Sequence, residues 1–538
     1  MDEKSKNIKE IKKAIMDGKV VLGIELGSTR IKSILIDENH QTIAQGSFDW
    51  QNKLENGVWT YDLNDVWVGL QSSYKELVID VEKKYKVPLT QVSSLGISAM
   101  MHGYLVFSKK QKQLVPFRTW RNTITEPAAK ELSTLFHFNV PQRWSIAYLH
   151  QSILNKEAHV AEIDFMTTLS GYVHWKLTGK RVLGIGDASG MFPIDSSTKN
   201  YNKKMLSLYN QRVKGSGLPY RLEHILPKVL CAGEQAGTLT PQGALLIDPS
   251  GKLPAGIPLC PPEGDAGTGM TATNSVAIHT GNISAGTSIF AMIVLEKELS
   301  NVYEEIDLVT TPSGSPVAMV HCNNFTSDID AWVKLFKQLT TLLDIDVSIN
   351  KLYEKLYYEA LKGESDGGGL VSFNYYAGEP ITQTDAGRPM LLRLPDSNFS
   401  LANLMLTNIY SALATLRIGM DILTCKENVS IANILGHGGF FKTENVGQFL
   451  MAASLNTPIT VMETAGEGGA WGIALLADFM LNKAENQTLE NYLKERVFKN
   501  CTGKTIAPQE EQVNGFNLFL EKYKTCLPIQ RTAIEFFK

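Results

Sequence analysis

The chain of 538 residues is 43% hydrophobic and 20% charged, which leaves room for two or three domains with substantial cores and excludes a disordered protein. A formal net charge of −3 and a pI near 6.4 supply no basic field for a polyphosphate backbone, so nucleic acid is excluded as a partner. Six cysteines, Cys231, Cys260, Cys322, Cys425, Cys501 and Cys526, form no CxxC or Cys/His cluster; this argues against a zinc site or disulfide framework and predicts reduced, mostly buried thiols.

In chain order, the opening MDEKSKNIKEIKKAIMDGK spaces Ile8, Ile11 and Ile15 as a short amphipathic helix does, and it has no apolar core of a secretion signal. The longest apolar run, WGIALLADFML, is too short to span a bilayer, so no membrane partner and a cytoplasmic location are expected. Next comes VVLGIELGSTRIKSILID, residues 20 to 37, two strand-like runs around a tip of Gly27, Ser28 and Thr29. Strand-like and helical runs then alternate through VSSLGISAM, the rhythm of an α/β protein. Turn-rich segments concentrate between residues 231 and 287, which predicts a domain boundary there. We read residues 1–275 as a first domain and 276–538 as a second, with the last thirty or so residues able to return to the first.

The second half opens with GNISAGTSIFAMIVLEK, residues 281 to 297, and aligning Gly286, Thr287 and Ser288 with the first tip also aligns IKSILI with IFAMIV. Glycine admits close backbone approach, successive N–H groups make an anion-binding concavity, and hydroxyls add donors. One such tip reads as a tight turn. Two, each heading one half of the chain, point to phosphate.

The pairing resembles the two phosphate motifs of the superfamily of actin, hexokinase and the heat-shock chaperone ATPases, and the other motifs resemble its FGGY carbohydrate kinase branch, the xylulokinases most of all. The motifs are GISAMMHGYLVF, GTLTPQG with LPAGIPL, EGDAGTGM, ILGHGGFFKTENVGQFL and TAGEGGAWGIALLA. The resemblance implies two ribonuclease H-like α/β domains facing each other across a cleft, ATP and Mg2+ as cofactors, and a small sugar as substrate. The resemblance is compatible with a homodimer.

On the residues alone, Asp265 between glycines reads first as a turn residue. The resemblance instead implies a general base that takes the proton of a sugar hydroxyl. It also implies sugar contacts for Met101, His102 and Trp120, and phosphate contacts for Gly27, Ser28, Thr29, Gly286, Thr287 and Ser288. Gly438, Gly439, Gly468 and Gly469 would admit the adenosine. Glu25, directly or through water, and Asp265 would serve a metal. The implied reaction is phosphorylation of a ketopentose such as xylulose at its terminal hydroxyl; the alternative is a catalytically weakened sugar- or nucleotide-binding protein that keeps the fold.

Several positions depart from the family pattern. Glu25 stands where an aspartate is usual, Asn122 replaces an acidic residue after Trp120, and WSIAYLHQSILNKEAHV and GRPMLLRLPDSNFS lack the usual signatures. Two look-alikes are excluded: CTGKT has Phe498 where a P-loop needs its upstream glycine, and GIGDASG fails the dinucleotide spacing.

Overall fold

The computed structural model describes residues 3–463 and 468–537. The described chain opens with helix α1 (Glu3–Met16), which buries Ile15, half-buries Ile11 and leaves Ile8 exposed. The first sheet begins with β1 (Val21–Leu26), β2 (Arg30–Ile36) and β3 (Thr42–Asp49). Helix α2 (Leu63–Tyr85) follows and is capped by the Asp62 side chain, which accepts from the Asn64 N–H. It buries Val66, Leu70, Leu77 and Val81 at helical spacing.

Strand β4 (Ser94–Ala99) lies parallel to β1, and the short α3 (Ile185–Ser189) comes later in the chain. The segments β5 (Gly237–Thr238), β6 (Pro258–Leu259) and β7 (Glu263–Gly264) complete the sheet in the order β5-β6-β4-β1-β2-β3, with β7 also on β4. Helix α4 (Asp265–Ala272) leaves directly from β7.

Register decides what each face of this sheet meets. Ser33 pairs with both Ile24 and Gly46, and that face carries α2: the Ser33 and Ser73 hydroxyls lie 2.8 Å apart, and a Cβ on Gly46 would sit 2.1 Å from the Ser73 carbonyl oxygen. The period of two sends Gly23 and Glu25 to the opposite face. There α7 (Gly468–Asn482) packs so closely that a Cβ on Gly23 would sit 2.1 Å from the Ala470 carbonyl oxygen. With helices on both faces, β1 is buried along nearly its whole length, and Glu25 is its one charged residue.

The second sheet repeats the device. Strand β8 (Thr280–Ala285) runs antiparallel to β9 (Ile289–Val294) and parallel to β12 (Asn433–His437), just as β1 runs antiparallel to β2 and parallel to β4. With β10 (Ile306–Thr310), β11 (Pro316–Cys322), β13 (Ile459–Met462) and β14 (Gly503–Ile506), its order is β10-β11-β9-β8-β12-β13-β14. The tips differ by one residue. Four residues separate paired Leu26 and Ile31, three separate paired Ala285 and Ile289, and Arg30 is the extra one. Helices α5 (Ser327–Leu342), α6 (Ile349–Ala360) and α8 (Glu510–Phe536) belong with this sheet's unit.

The chain divides into two compact units, but not by a single cut. The first holds Met1–Val276, Leu308–Val317 and Glu467–Asn500, the second Ala277–Asp307, Ala318–Gly466 and Cys501–Lys538. The segment that returns to the first unit therefore includes α7, while the last helix stays in the second. The CTGKT segment forms edge strand β14, not a phosphate loop. All six cysteines are free, and the expectation that most are buried does not hold: only Cys260 and Cys322 are, and Cys425 is exposed, lying past the end of a long helix. Among the described residues no helix is long and apolar enough to cross a membrane.

Candidate active site

Residues 20 to 37 form the first hairpin, and its tip shows what the small residues are for. The Gly27 carbonyl accepts from Trp50 Nε1 at 2.7 Å, the Ser28 carbonyl from the Tyr61 hydroxyl at 2.6 Å, and the Thr29 carbonyl from the Trp50 N–H at 3.1 Å. These bonds take up the tip's carbonyls, and the Gly27 N–H closes on the Arg30 carbonyl at 3.0 Å, which leaves the Ser28 and Thr29 donors as the part of the tip suited to an anion. The second tip is built likewise. Gly286 O accepts from the Thr326 hydroxyl at 3.0 Å and Thr287 O from the Phe325 N–H at 3.1 Å.

Asp265 stands where β7 ends and α4 begins, at the carboxyl end of β4, the edge at which open α/β sheets bind ligands. Its Oδ1 accepts the Met101 N–H at 3.0 Å. Met101 and His102 occupy the turn after β4, where His102 takes a left-handed φ of 70° and Gly103 one of 94°. A left-handed non-glycine residue costs about 1–3 kcal/mol and persists only where its surroundings impose it. Gly190 leaves room for this turn: a Cβ there would lie 2.6 Å from His102 Nδ1 and 2.7 Å from Met101 Cε. The imidazole lies 3.3 Å from the Gly190 carbonyl and stacks on Trp144 at 6.5 Å. Burial, helped by the Arg143 charge, pushes His102 down to about 3, so it meets a ligand as a neutral ring.

Glu25 faces α7. Its Oε2 accepts the Ala470 N–H at 3.1 Å, and a Cβ on Gly469 would sit 2.3 Å from Oε1. Glu25 pairs in register with Ser98, whose hydroxyl meets that of Thr268 on α4 at 3.0 Å, which ties the three elements together. Burial, then the charge of Asp265, pushes Glu25 up to about 7; burial pushes Asp265 up to about 6 against the N–H groups of Met101 and Ala266. Two desolvated carboxylates, one raised by the other, suit a bound cation. No cluster of three His, Cys, Asp or Glu residues exists among the described residues. A magnesium ion would fit with these two carboxylates and water in its other positions.

The sequence reading missed two acids. Glu263 accepts the Gly186 and Asp187 N–H groups at 3.2 and 2.9 Å, in a cradle where a Cβ on Gly184 or Gly186 would meet its carboxylate at 2.3 or 2.5 Å. Asp187 accepts from the hydroxyls of Thr168, at 2.7 Å, and Ser170. Together they fix the strand end that carries Asp265. The available signal was an acid two residues before Asp265 and the paired glycines of GIGDASG.

Trp120 is 38% exposed, so its ring is not part of the core. Asn122 beside it is structural: its Oδ1 accepts the Trp59 N–H at 2.7 Å and its Nδ2 donates to the Trp59 and Thr119 carbonyls.

In the second unit a cavity of about 540 Å³ is lined by Gly286, Thr326, Asp330, Tyr357, Gly439 and Phe440, among others. Gly439 faces open space, whereas Gly438 has a φ of 104° and a Cβ there would meet the Ala285 carbonyl oxygen at 2.4 Å. The structure thus brings Gly286 and Gly439 to one cavity. Gly468 and Gly469 open α7 in the first unit, where Gly469 gives room to Glu25. Residues 464–467, part of the same sequence motif, lie outside the described residues.

Two α/β sheets of matching topology, each headed by such a hairpin, are the fold of the actin- and hexokinase-like ATPases. The chain belongs to the FGGY family of carbohydrate kinases: the family's N-terminal domain matches residues 20–266 and its C-terminal domain residues 281–481. It is 21% identical over 521 residues to the xylulose kinase of Haemophilus influenzae, covering 94% of this chain and 99% of that one. Among solved structures, a xyloylose kinase from Brucella ovis superposes with a TM-score of 0.76 at 17% identity, over 95% of this chain and 99% of the other. The gluconate kinase of Lactobacillus acidophilus gives 0.77 at 16% identity, over 96% and 99%. The protein is accordingly a sugar kinase.

Proposed function

We propose that this kinase transfers the γ-phosphoryl group of ATP to the terminal primary hydroxyl of an open-chain ketopentose of the xylulose type. The observation that carries the reading is the Asp265 carboxylate, desolvated, held by the Met101 N–H at 3.0 Å and adjoining the His102 turn. The hydroxyl proton passes to Asp265, the sugar oxygen bonds to the γ-phosphorus, and the bond from that phosphorus to the β–γ bridging oxygen breaks, releasing ADP. Neutral His102, with Met101 and Trp120, holds the far end of the sugar. Gly27, Ser28 and Thr29 with Gly286, Thr287 and Ser288 donate to the phosphates, and the nucleoside occupies the cavity beside Gly439. Glu25, directly or through water, and Asp265 would hold Mg2+, which when bound would neutralise charge on the phosphates.

A ketose is favoured because a terminal hydroxyl on a flexible chain can reach Asp265 while the rest of the sugar stays at His102. The names of the similar xylulose kinases support this reading, and the similar gluconate kinase sets its competitor. The test is a panel of D-xylulose, L-xylulose, L-ribulose, gluconate, glycerol and aldohexoses, with each product's phosphate position read by 31P NMR. A ketose 5-phosphate is expected. Turnover of gluconate, glycerol or an aldohexose with no ketose product would refute the substrate assignment.

Glu25→Asp restores the family's usual residue but withdraws the carboxylate from the Ala470 N–H by one methylene. Supporting groups at metal sites typically carry 10–100-fold in affinity, so the magnesium needed for half-maximal turnover should shift by about tenfold or more. Superimposable magnesium titrations of the two proteins would remove Glu25 from the site.

A further inference from the structure

The tip of the second hairpin is held from outside the hairpin. Phe325 and Thr326, which donate to the Thr287 and Gly286 carbonyls, belong to the segment 323–326 between β11 and α5, so the placing of the tip passes to that segment. Side chains fasten it. Buried Asn374 donates through Nδ2 to the Asn324 and Phe325 carbonyls at 3.3 and 3.0 Å. Buried Asn324 accepts the Tyr376 and Ala377 N–H groups on Oδ1 at 2.8 and 2.9 Å. Its own N–H and its Nδ2 both donate to Glu379 Oε2, at 3.2 and 3.1 Å.

Glu379 is 0% exposed, and a buried carboxylate is costly unless hydrogen bonds offset its desolvation. Its backbone is fixed as well. The Glu379 N–H donates to the Thr384 carbonyl at 2.7 Å and its carbonyl accepts the Thr384 N–H at 3.1 Å, which closes the loop that carries it. A buried apolar side chain would serve packing at least as well, so what the carboxylate adds is its grip on Asn324. We propose that Glu379 is a positioning residue for the nucleotide: through Asn324 it fixes the segment that holds Gly286, Thr287 and Ser288 in place for the outer phosphates of ATP. The inference rests on the reading of that tip as a phosphate site.

Calorimetry of the full chain with AMP-PNP and with AMP tests this, because only the first carries the outer phosphates. Glu379→Ala should weaken AMP-PNP about tenfold or more and leave AMP within about twofold, whereas a general loosening of the unit would weaken both. Glu379→Gln keeps an oxygen for both Asn324 donors and should hold AMP-PNP within about threefold of wild type. Asn324→Asp keeps Oδ1 for the Tyr376 and Ala377 N–H groups but sets an oxygen against Glu379. It should reproduce the alanine defect, and it carries the test where Glu379→Ala does not fold. Thr326→Val removes the bond to the tip itself and so tests the phosphate reading separately. A defect in Thr326→Val with none in Glu379→Ala or Asn324→Asp would overturn the positioning role and leave the phosphate site standing. No defect in any of the three would overturn both. Equal weakening of AMP and AMP-PNP, or a Glu379→Gln variant as impaired as Glu379→Ala, would also overturn the proposal.

Discussion

Asp265→Asn is expected to lower sugar-dependent turnover by roughly a hundred- to ten-thousandfold, the usual cost of losing a general base. The amide can keep the bond from the Met101 N–H, because its Oδ1 still accepts, so the turn after β4 has no reason to move. What it loses is the ability to take a proton. The burial that holds Asp265 near 6 tunes that ability to neutral pH, and an amide has no counterpart to it. Binding should survive: sugar and nucleotide dissociation constants from calorimetry should stay within a few-fold of wild type while kcat collapses. Unchanged kcat would reduce Asp265 to a turn residue.

Gly472→Ala should destabilise the first unit by about 2 kcal/mol. A Cβ there would lie 2.0 Å from the Thr268 carbonyl oxygen, where α7 crosses α4. Alanine favours a helix over glycine by about 1 kcal/mol, and overpacking a close contact costs about 1–3 kcal/mol or more. The second effect wins here because both sides of the contact are backbone and no side chain can swing aside. Activity should fall as well, since parting α7 from α4 draws the Ala470 N–H from Glu25 and disturbs the helix that begins at Asp265. Gly269→Ala is the control. It lies on the same α4 with no atom within 4 Å of its Cβ position, so helix propensity alone should raise stability by up to about 1 kcal/mol. Thermal midpoints that move in the same direction in both variants would refute the packing argument.

The two hairpins could be read in the sequence because their signal is local: alternating apolar runs, a glycine and hydroxyls, repeated once with Arg30 as the only length difference. Asp265 could be singled out because its motif is contiguous. What stayed hidden depends on contacts between residues far apart in the chain. The return of Leu308–Val317 and Glu467–Asn500 to the first unit has no local marker. That Gly469 gives room to Glu25 has no local marker either, since more than four hundred residues separate the two. Glu263 sits in an unremarkable PPEG stretch, and only the cradle of Gly184 and Gly186 reveals its use. Asn122 stands out in the sequence only as a departure from the family pattern, whereas its amide is committed to the Trp59 backbone.

The most direct test of the account is ADP release by the purified wild-type chain at saturating ATP and magnesium, with and without each ketopentose. The account predicts that at least one ketopentose raises the rate about a hundredfold or more over the sugar-free background, in keeping with the scale of general-base catalysis. No stimulation by any sugar, in a protein shown by calorimetry to bind nucleotide, would contradict it and leave a binding protein that keeps the kinase fold.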